Sequence, residues 1–269
     1  MKKIVFAALA ALLLASCGPR DFVFMQLSDP QVGFRDKTEG YTQSDSLMKL
    51  AVAAVNRIKP AAVVITGDLV NHTDDELQKE IYKRNIAAVD SSIPLYALPG
   101  NHDMRPWTPE HHDEFLQFNG YDRFSFKLND CSFIGFDSCC IKDGIEDQEE
   151  EQLGWLVNEL EAAQGSRFIF LFTHCPIFRE SIDEDEDYFN FSKPKRTEYL
   201  NLLKEYGVSA LFAGHTHKDY HASWEGIELI TAGPVGVPLH GGFSGLNVIK
   251  VTKDGFSSTY SSAPEAKAE

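Results

Sequence analysis

The stretch Ile93-Pro94-Leu95-Tyr96-Ala97-Leu98-Pro99-Gly100-Asn101-His102-Asp103 changes character at Pro99, where an apolar run stops and an amide, an imidazole and a carboxylate follow at once. Proline and glycine end strand pairing. The polar residues are thereby left at the carboxyl edge of a sheet, where open α/β sheets hold ligands. The chain repeats this form in Val63-Val64-Ile65-Thr66-Gly67-Asp68 and in Ala210-Leu211-Phe212-Ala213-Gly214-His215-Thr216-His217. Apolar runs that each end in ligand-type side chains predict one site gathered from several strand ends.

Working outward, residues 21–28 have the composition of a buried strand and stop at Asp29-Pro30-Gln31. Leu47, Leu50, Ala51, Ala54, Val55 and Ile58 recur at helical spacing until Pro60, so residues 61–66 form a second parallel strand entered by a crossover helix. Thr73 and Glu76 have capping-box spacing. Leu77, Ile81, Ile86 and Val89 then continue a helix to the strand 93–98, which completes a βαβαβ order.

Beyond a looser section with Trp107 and Phe115, residues 123–128 and 131–137 flank Asn129-Asp130 as a hairpin. Residues 152–163 read as a helix, and 167–173 as a strand too apolar for a wet face, ending at His174-Cys175-Pro176. Residues 177–192 lack periodicity and carry the acidic run Asp183-Glu184-Asp185-Glu186-Asp187. The plain reading is a solvated loop, and a lid over the site is the alternative. A helix over 194–206, a strand over 208–212 and hairpins turning at Glu225-Gly226 and Asp254-Gly255 complete the domain. This order predicts an α/β fold: a four-layer α/β/β/α sandwich of two mixed sheets flanked by helices, over residues 21–262, followed by a disordered tail at 263–269.

The 269 residues, 43% hydrophobic and 24% charged, suffice for one sizeable core. The net charge of −15 argues against a nucleic-acid-binding surface, which needs clustered cations. It also repels bulk phosphate, so a phosphate-handling site here needs bound metal or focused Arg and Lys, for which Arg105 and Arg123 are candidates.

Met1-Lys2-Lys3 and the short apolar run 4–14 have the form of a secretory signal. Leu14-Ala15-Ser16-Cys17 resembles a bacterial lipobox. That predicts a signal peptide over 1–16, a lipid on Cys17, a tether over 17–20 and membrane attachment in the cell envelope; an ordinary signal with an incidental cysteine is the alternative. Cys131, Cys139, Cys140 and Cys175 remain. A bridge from Cys131 to Cys139 or Cys140 and buried free thiols both stay open.

Collected in chain order, the strand-end groups are Asp29, Gln31, Asp68, Asn101, His102, His174, His215 and His217. Oxygen and imidazole ligands without thiolate suit divalent Mn, Fe or Zn in an open site, with Asp68 able to bridge two ions. His72, His111, His112, His221 and His240 have no comparable company, and His72 stands nearest the set.

Gly67-Asp68, Gly100-Asn101-His102-Asp103, Thr173-His174 and Gly214-His215-Thr216-His217, in this order, resemble the calcineurin-like metallophosphoesterase superfamily, whose sandwich fold agrees with the one read above. The resemblance implies a phosphoesterase with two divalent metal ions. Asp29, Asp68 and His217 would hold the first ion, and Asp68, Asn101, His174 and His215 the second. It implies that His102 faces a phosphorylated substrate, stabilising charge or protonating the leaving oxygen while a hydroxide supplied by the metals attacks phosphorus in line.

The departure is Gln31, where the superfamily usually has histidine; a glutamine oxygen suits Mn or Mg better than Zn. Asp29-Pro30-Gln31 resembles a subgroup whose eukaryotic members dephosphorylate proteins, and Asn71 stands where the purple acid phosphatases place their tyrosine ligand. The expected activity is hydrolysis of phosphomonoesters, with diesters also open. A non-catalytic metal- or phosphate-binding envelope lipoprotein with a degraded first metal site is the alternative.

Overall fold

The computed structural model describes residues 20–239 and 241–268; the signal 1–16, Cys17, His240 and Glu269 lie outside the described residues. A five-stranded sheet holds β1 (Phe22–Leu27), β2 (Val63–Thr66), β3 (Leu95–Leu98), β10 (Leu246–Val251) and β11 (Phe256–Ser261), in the order β11-β10-β1-β2-β3. A six-stranded sheet holds β4 (Phe124–Leu128), β5 (Cys131–Gly135), β6 (Phe168–Phe172), β7 (Ala210–Ala213), β8 (Tyr220–Trp224) and β9 (Ile227–Thr231), in the order β4-β5-β6-β7-β9-β8. β1, β2 and β3 are parallel, as are β5, β6, β7 and β9. Their antiparallel neighbours at the edges make both sheets mixed, as expected.

Phenylalanine fuses the sheets. Strand alternation turns Phe24 to the inner face and Met25 and Leu27 to the outer one, and the Phe24 ring lies 5.0 Å from Phe133, 5.3 Å from Phe170 and 5.6 Å from Phe212 across the gap. Such offset and edge-on contacts suit aromatic quadrupoles. Just above this layer the same alternation turns Gln26 inward, where its Nε2 donates to Ala213 O of the other sheet at 2.7 Å and Asn247 Nδ2 donates to its Oε1. A buried amide bonded to both sheets fixes how their strand ends meet.

The outer faces carry the helices. α1 (Thr42–Ile58) and α2 (Glu76–Ile86) are the crossovers between β1, β2 and β3. The capping box expected of Thr73 and Glu76 does not form. Asp75 caps α2 instead, its Oδ1 accepting from Leu77 N at 3.0 Å and Gln78 N at 3.2 Å, because a carboxylate closer to the first turn satisfies two free donors. α3 (Pro109–Asn119) was invisible to periodicity, since Phe115 is its one buried residue, yet Thr108 caps it through His111 N. The short α4 (Cys139–Asp143) was also unforeseen. α5 (Glu146–Ala162) starts before the expected residue 152, its acidic first turn suiting the positive end of the helix dipole. α6 (Lys193–Glu205) leads to β7.

The chain end, expected to be disordered from residue 263, packs instead: Ala263 and Ala266 are buried, and Arg57 donates to both carbonyls. All four described cysteines are buried and free, so no bridge links Cys131 to Cys139 or Cys140.

Residues 177–192 are neither freely solvated nor loose. Arg196 of α6 is fully buried, and its guanidinium donates to the carbonyls of Phe191, Ile182, Glu184 and Asp185 at 2.6–3.2 Å. Glu184 accepts from the main chain of Arg179, Glu180 and Ser181 and from Asn190 Nδ2. Lys142 donates to the carbonyls of Asp187 and Asn190. The acidic run therefore wraps buried or half-buried cations with its main-chain carbonyls, which hydropathy periodicity cannot reveal.

Candidate metal centre

The parallel strands deliver their polar residues to one end of the sandwich through strained turns. Asp29, Gln31, Asp68, His215 and His217 all have φ between 34° and 70°, a left-handed backbone that non-glycine residues adopt at a cost. The turns also press together. A Cβ on Gly100 would overlap the amide nitrogen and Oδ1 of Asp68, and one on Gly214 would overlap Ser28 Oγ. Because Gly100 meets main chain that cannot step aside, Gly100→Ala should destabilise the fold by roughly 2–3 kcal/mol and move Asp68. A urea midpoint equal to wild type would contradict this packing.

Two clusters of three residues form. Asp29, Asp68 and His217 form one buried cluster whose ligand atoms lie within 4.8 Å of one another, and His174, Cys175 and His215 form a second. Each histidine of the set has one ring nitrogen on a main-chain carbonyl: His174 Nδ1 on Thr66 O at 2.8 Å, His217 Nδ1 on Val237 O at 2.8 Å and His215 Nε2 on Tyr188 O at 3.0 Å. Carbonyls only accept, so these nitrogens carry the proton and the opposite one keeps a lone pair, as in metal sites whose outer partners set the tautomer.

The lone-pair side of His174, Nε2, then faces Asn101 Oδ1 at 3.1 Å and Asp68 Oδ1 at 3.5 Å, while His217 Nε2 faces Asp29 Oδ1 at 3.5 Å. Acceptors turned toward acceptors repel unless a cation or proton lies between them. Asp29 Oδ1, Gln31 Oε1 and Asp68 Oδ2 are moreover buried with no donor in reach among the described residues. Uncompensated buried carboxylates are costly, so this donor set fits divalent cations. Burial, then the Asp29 charge, raises Asp68 well above the usual carboxylate range. Burial, then His174, keeps His215 well below its ordinary value and therefore neutral, as a ligand must be. Burial holds the Cys175 thiol protonated, which leaves it a neighbour of the second cluster.

Asp103, unassigned in sequence, ties the strand ends together. Its carboxylate accepts from Leu69 N, Val70 N and Gly100 N, joining the turns after β2 and β3, and burial with the nearby Asp68 pushes it up to about 7.

Above the clusters lies a cleft of ≈ 430 Å³ lined by Gln31, Asp68, Asn101, His102, Arg105 and Tyr188, among others, with His72 at its wall. His102 presents its ring there. Its Nδ1 meets Asn71 O at 3.2 Å, its Nε2 meets Arg105 Nη2 at 3.2 Å, and its main-chain N–H donates to Asp68 Oδ1 at 2.8 Å. Burial, then the Arg105 charge, brings this imidazole down to about 4. Arg105 thus supplies the focused positive charge; Arg123 does not, being paired with Glu151 and Asp122 away from the cleft. A larger cavity of ≈ 500 Å³ lies at the opposite, amino ends of β6, β7 and β9. Its charges close on themselves as Lys204–Glu225 and His221–Glu228.

A two-sheet sandwich with buried carboxylates, amides and imidazoles at its strand ends defines a metallophosphoesterase. The calcineurin-like phosphoesterase family matches residues 22–219, and the chain belongs to that family, whose members use divalent metals. It is 33% identical over 264 residues to the serine/threonine-protein phosphatase CPPED1 of Bos taurus, covering 91% of this chain and 84% of that one. It is 26% identical over 217 residues to a probable glycerophosphodiester phosphodiesterase GpdQ of Arcobacter nitrofigilis, covering 78% and 77%. Among solved structures, a dimetal phosphatase from Danio rerio shares the fold with a TM-score of 0.63 at 15% identity, over 89% of this chain and 99% of that one.

Proposed function

We propose that the chain is a dinuclear metal-dependent phosphomonoesterase. Asp29, Gln31, Asp68 and His217 hold one ion, and Asp68, Asn101, His174 and His215 hold the other. The observation that carries this is the convergence of buried, unpartnered Asp29 Oδ1, Gln31 Oε1 and Asp68 Oδ2 with imidazole lone pairs selected by backbone carbonyls. When bound, two divalent ions supply the hydroxide nucleophile and the positive charge that this acidic chain otherwise denies a phosphoryl group.

The chain's own residues do the rest. Arg105, in the cleft, meets the phosphoryl oxygens. In the substrate-free chain His102 is a neutral acceptor toward Arg105. A phosphate dianion draws the guanidinium to itself and raises the proton affinity of the ring, so that Nε2 takes up a proton from solvent and hands it to the leaving oxygen. The phosphatase name of the Bos taurus relative supports a monoester, and the diesterase name of the Arcobacter relative supports the second reading, a diester.

With Mn, the protein is expected to turn over para-nitrophenyl phosphate faster than its bis ester and to lose that turnover with a chelator. His102→Ala should lower the rate about 10²–10⁴-fold. Gln31→His should keep turnover while moving the metal preference from Mn toward Zn. Phosphate binding without turnover of either ester would establish the non-catalytic binding protein instead.

The lipobox-like stretch supports attachment to the cell envelope by a lipid on Cys17. Cys17→Ser should release the protein into the soluble fraction, and unchanged membrane partition would remove the anchor.

A further inference from the structure

Two groups given above to the second ion, Asn101 and His215, share a partner that no motif marks. Tyr188 Oη lies 2.7 Å from Asn101 Nδ2, and the main-chain oxygen of the same residue lies 3.0 Å from His215 Nε2. An amide nitrogen only donates, so the phenol oxygen accepts, and Asn101 is held with Oδ1 turned toward His174 Nε2. The carbonyl also accepts, so His215 keeps its proton on Nε2 and presents Nδ1. The Tyr188 ring packs 4.8 Å from the His215 ring, against its tilt.

We propose that Tyr188 is a positioning residue for the second ion, its hydroxyl orienting Asn101. This rests on the two-ion reading above. Tyr188 can do it because its loop is pinned on both sides, by Lys142 on Asp187 O and Asn190 O and by Arg196 on the carbonyls of residues 182, 184, 185 and 191. The acidic loop thereby belongs to the metal site while contributing no ligand to it. Outer partners of metal ligands typically govern affinity by about 10–100-fold.

The test is a titration of the metal-free full chain with Mn, read by the electron paramagnetic resonance of free Mn and by bound-metal stoichiometry. Wild type should take two ions. Tyr188→Phe removes one oxygen from a half-exposed side chain. It should keep the first affinity and weaken the second about tenfold or more. The Mn concentration for half-maximal hydrolysis should rise in step, with kcat at saturating Mn kept within about twofold, a pattern that a merely loosened loop would not give. Two Mn affinities unchanged in Tyr188→Phe would overturn the positioning of Asn101 by the Tyr188 hydroxyl and leave the two-ion reading standing. Fewer than two ions in wild type would overturn both.

Discussion

Asp68→Asn should lose phosphatase activity by at least about 10³-fold, equivalent to roughly 4 kcal/mol of transition-state stabilisation, while making the metal-free chain harder to unfold. Both effects come from one side chain. Asp68 Oδ1 takes the His102 N–H, Oδ2 has no partner among the described residues, and the group is buried beside Asp29 at the floor of the cleft. In the proposed two-ion site a shared anionic ligand would let two cations sit side by side; an amide of the same shape keeps the packing and gives that up. In the metal-free chain the same anion is a buried charge without compensation, so its removal should gain about 1–3 kcal/mol.

The pH dependence has a definite sign. Asp68 is raised in the folded state, so folding favours its protonated form. The contribution of Asp68 to metal-free stability is fully present below the unfolded value of about 4 and is lost as pH rises. Urea midpoints measured without metal from about pH 5 to about pH 8 should therefore fall more steeply for wild type than for Asp68→Asn. Parallel slopes, or a variant less stable than wild type at the upper end, would contradict the stored charge.

The second large effect is expected at Arg196→Met. The guanidinium is fully buried and bonded to carbonyls alone, so an apolar replacement of similar length fills the space but orphans four acceptors. Each buried acceptor left without a donor costs about 1–3 kcal/mol, which urea unfolding would read directly. Residues 177–192 should also become open to protease, and hydrolysis should fall through Tyr188. Acid should act on the same loop much later. Burial opposes ionisation of Glu184, yet hydrogen bonds from Glu180 N, Asn190 and Arg179 N bring it down to about 2. Its contribution to stability is present above the ordinary glutamate value and is lost only as pH falls toward 2. A loop that is cut as readily in wild type as in Arg196→Met would show that the cation does not hold it.

The reach of the sequence differs from element to element. The strands ending at Asp68, Asn101 and His215 were legible because an apolar run followed by Gly and a polar ligand type is a local pattern, and the two-sheet sandwich followed from their order. α3 escaped because one buried phenylalanine makes no stripe. Thr73 was passed over as the cap of α2 because Asp75, nearer the first turn, offered a carboxylate to the same donors. The loop over 177–192 looked solvated because the cation that holds it lies 5 to 14 residues ahead and bonds main-chain carbonyls, neither of which hydropathy records.

Within the site the division is similar. Residue types and their spacing determined that carboxylates, amides and imidazoles would stand at strand ends, for strand propensity and turn chemistry act over a few neighbouring residues. Only the tertiary structure decided which nitrogen of each histidine is free, that Gln31 and Asp29 present unpartnered oxygens, that Arg105 rather than Arg123 enters the cleft, and that Tyr188 reaches Asn101 and His215. Those outcomes depend on distances between segments far apart in the chain, and packing of the two sheets through Phe24 and Gln26 sets such distances to within an ångström, a precision that no local pattern of side chains carries.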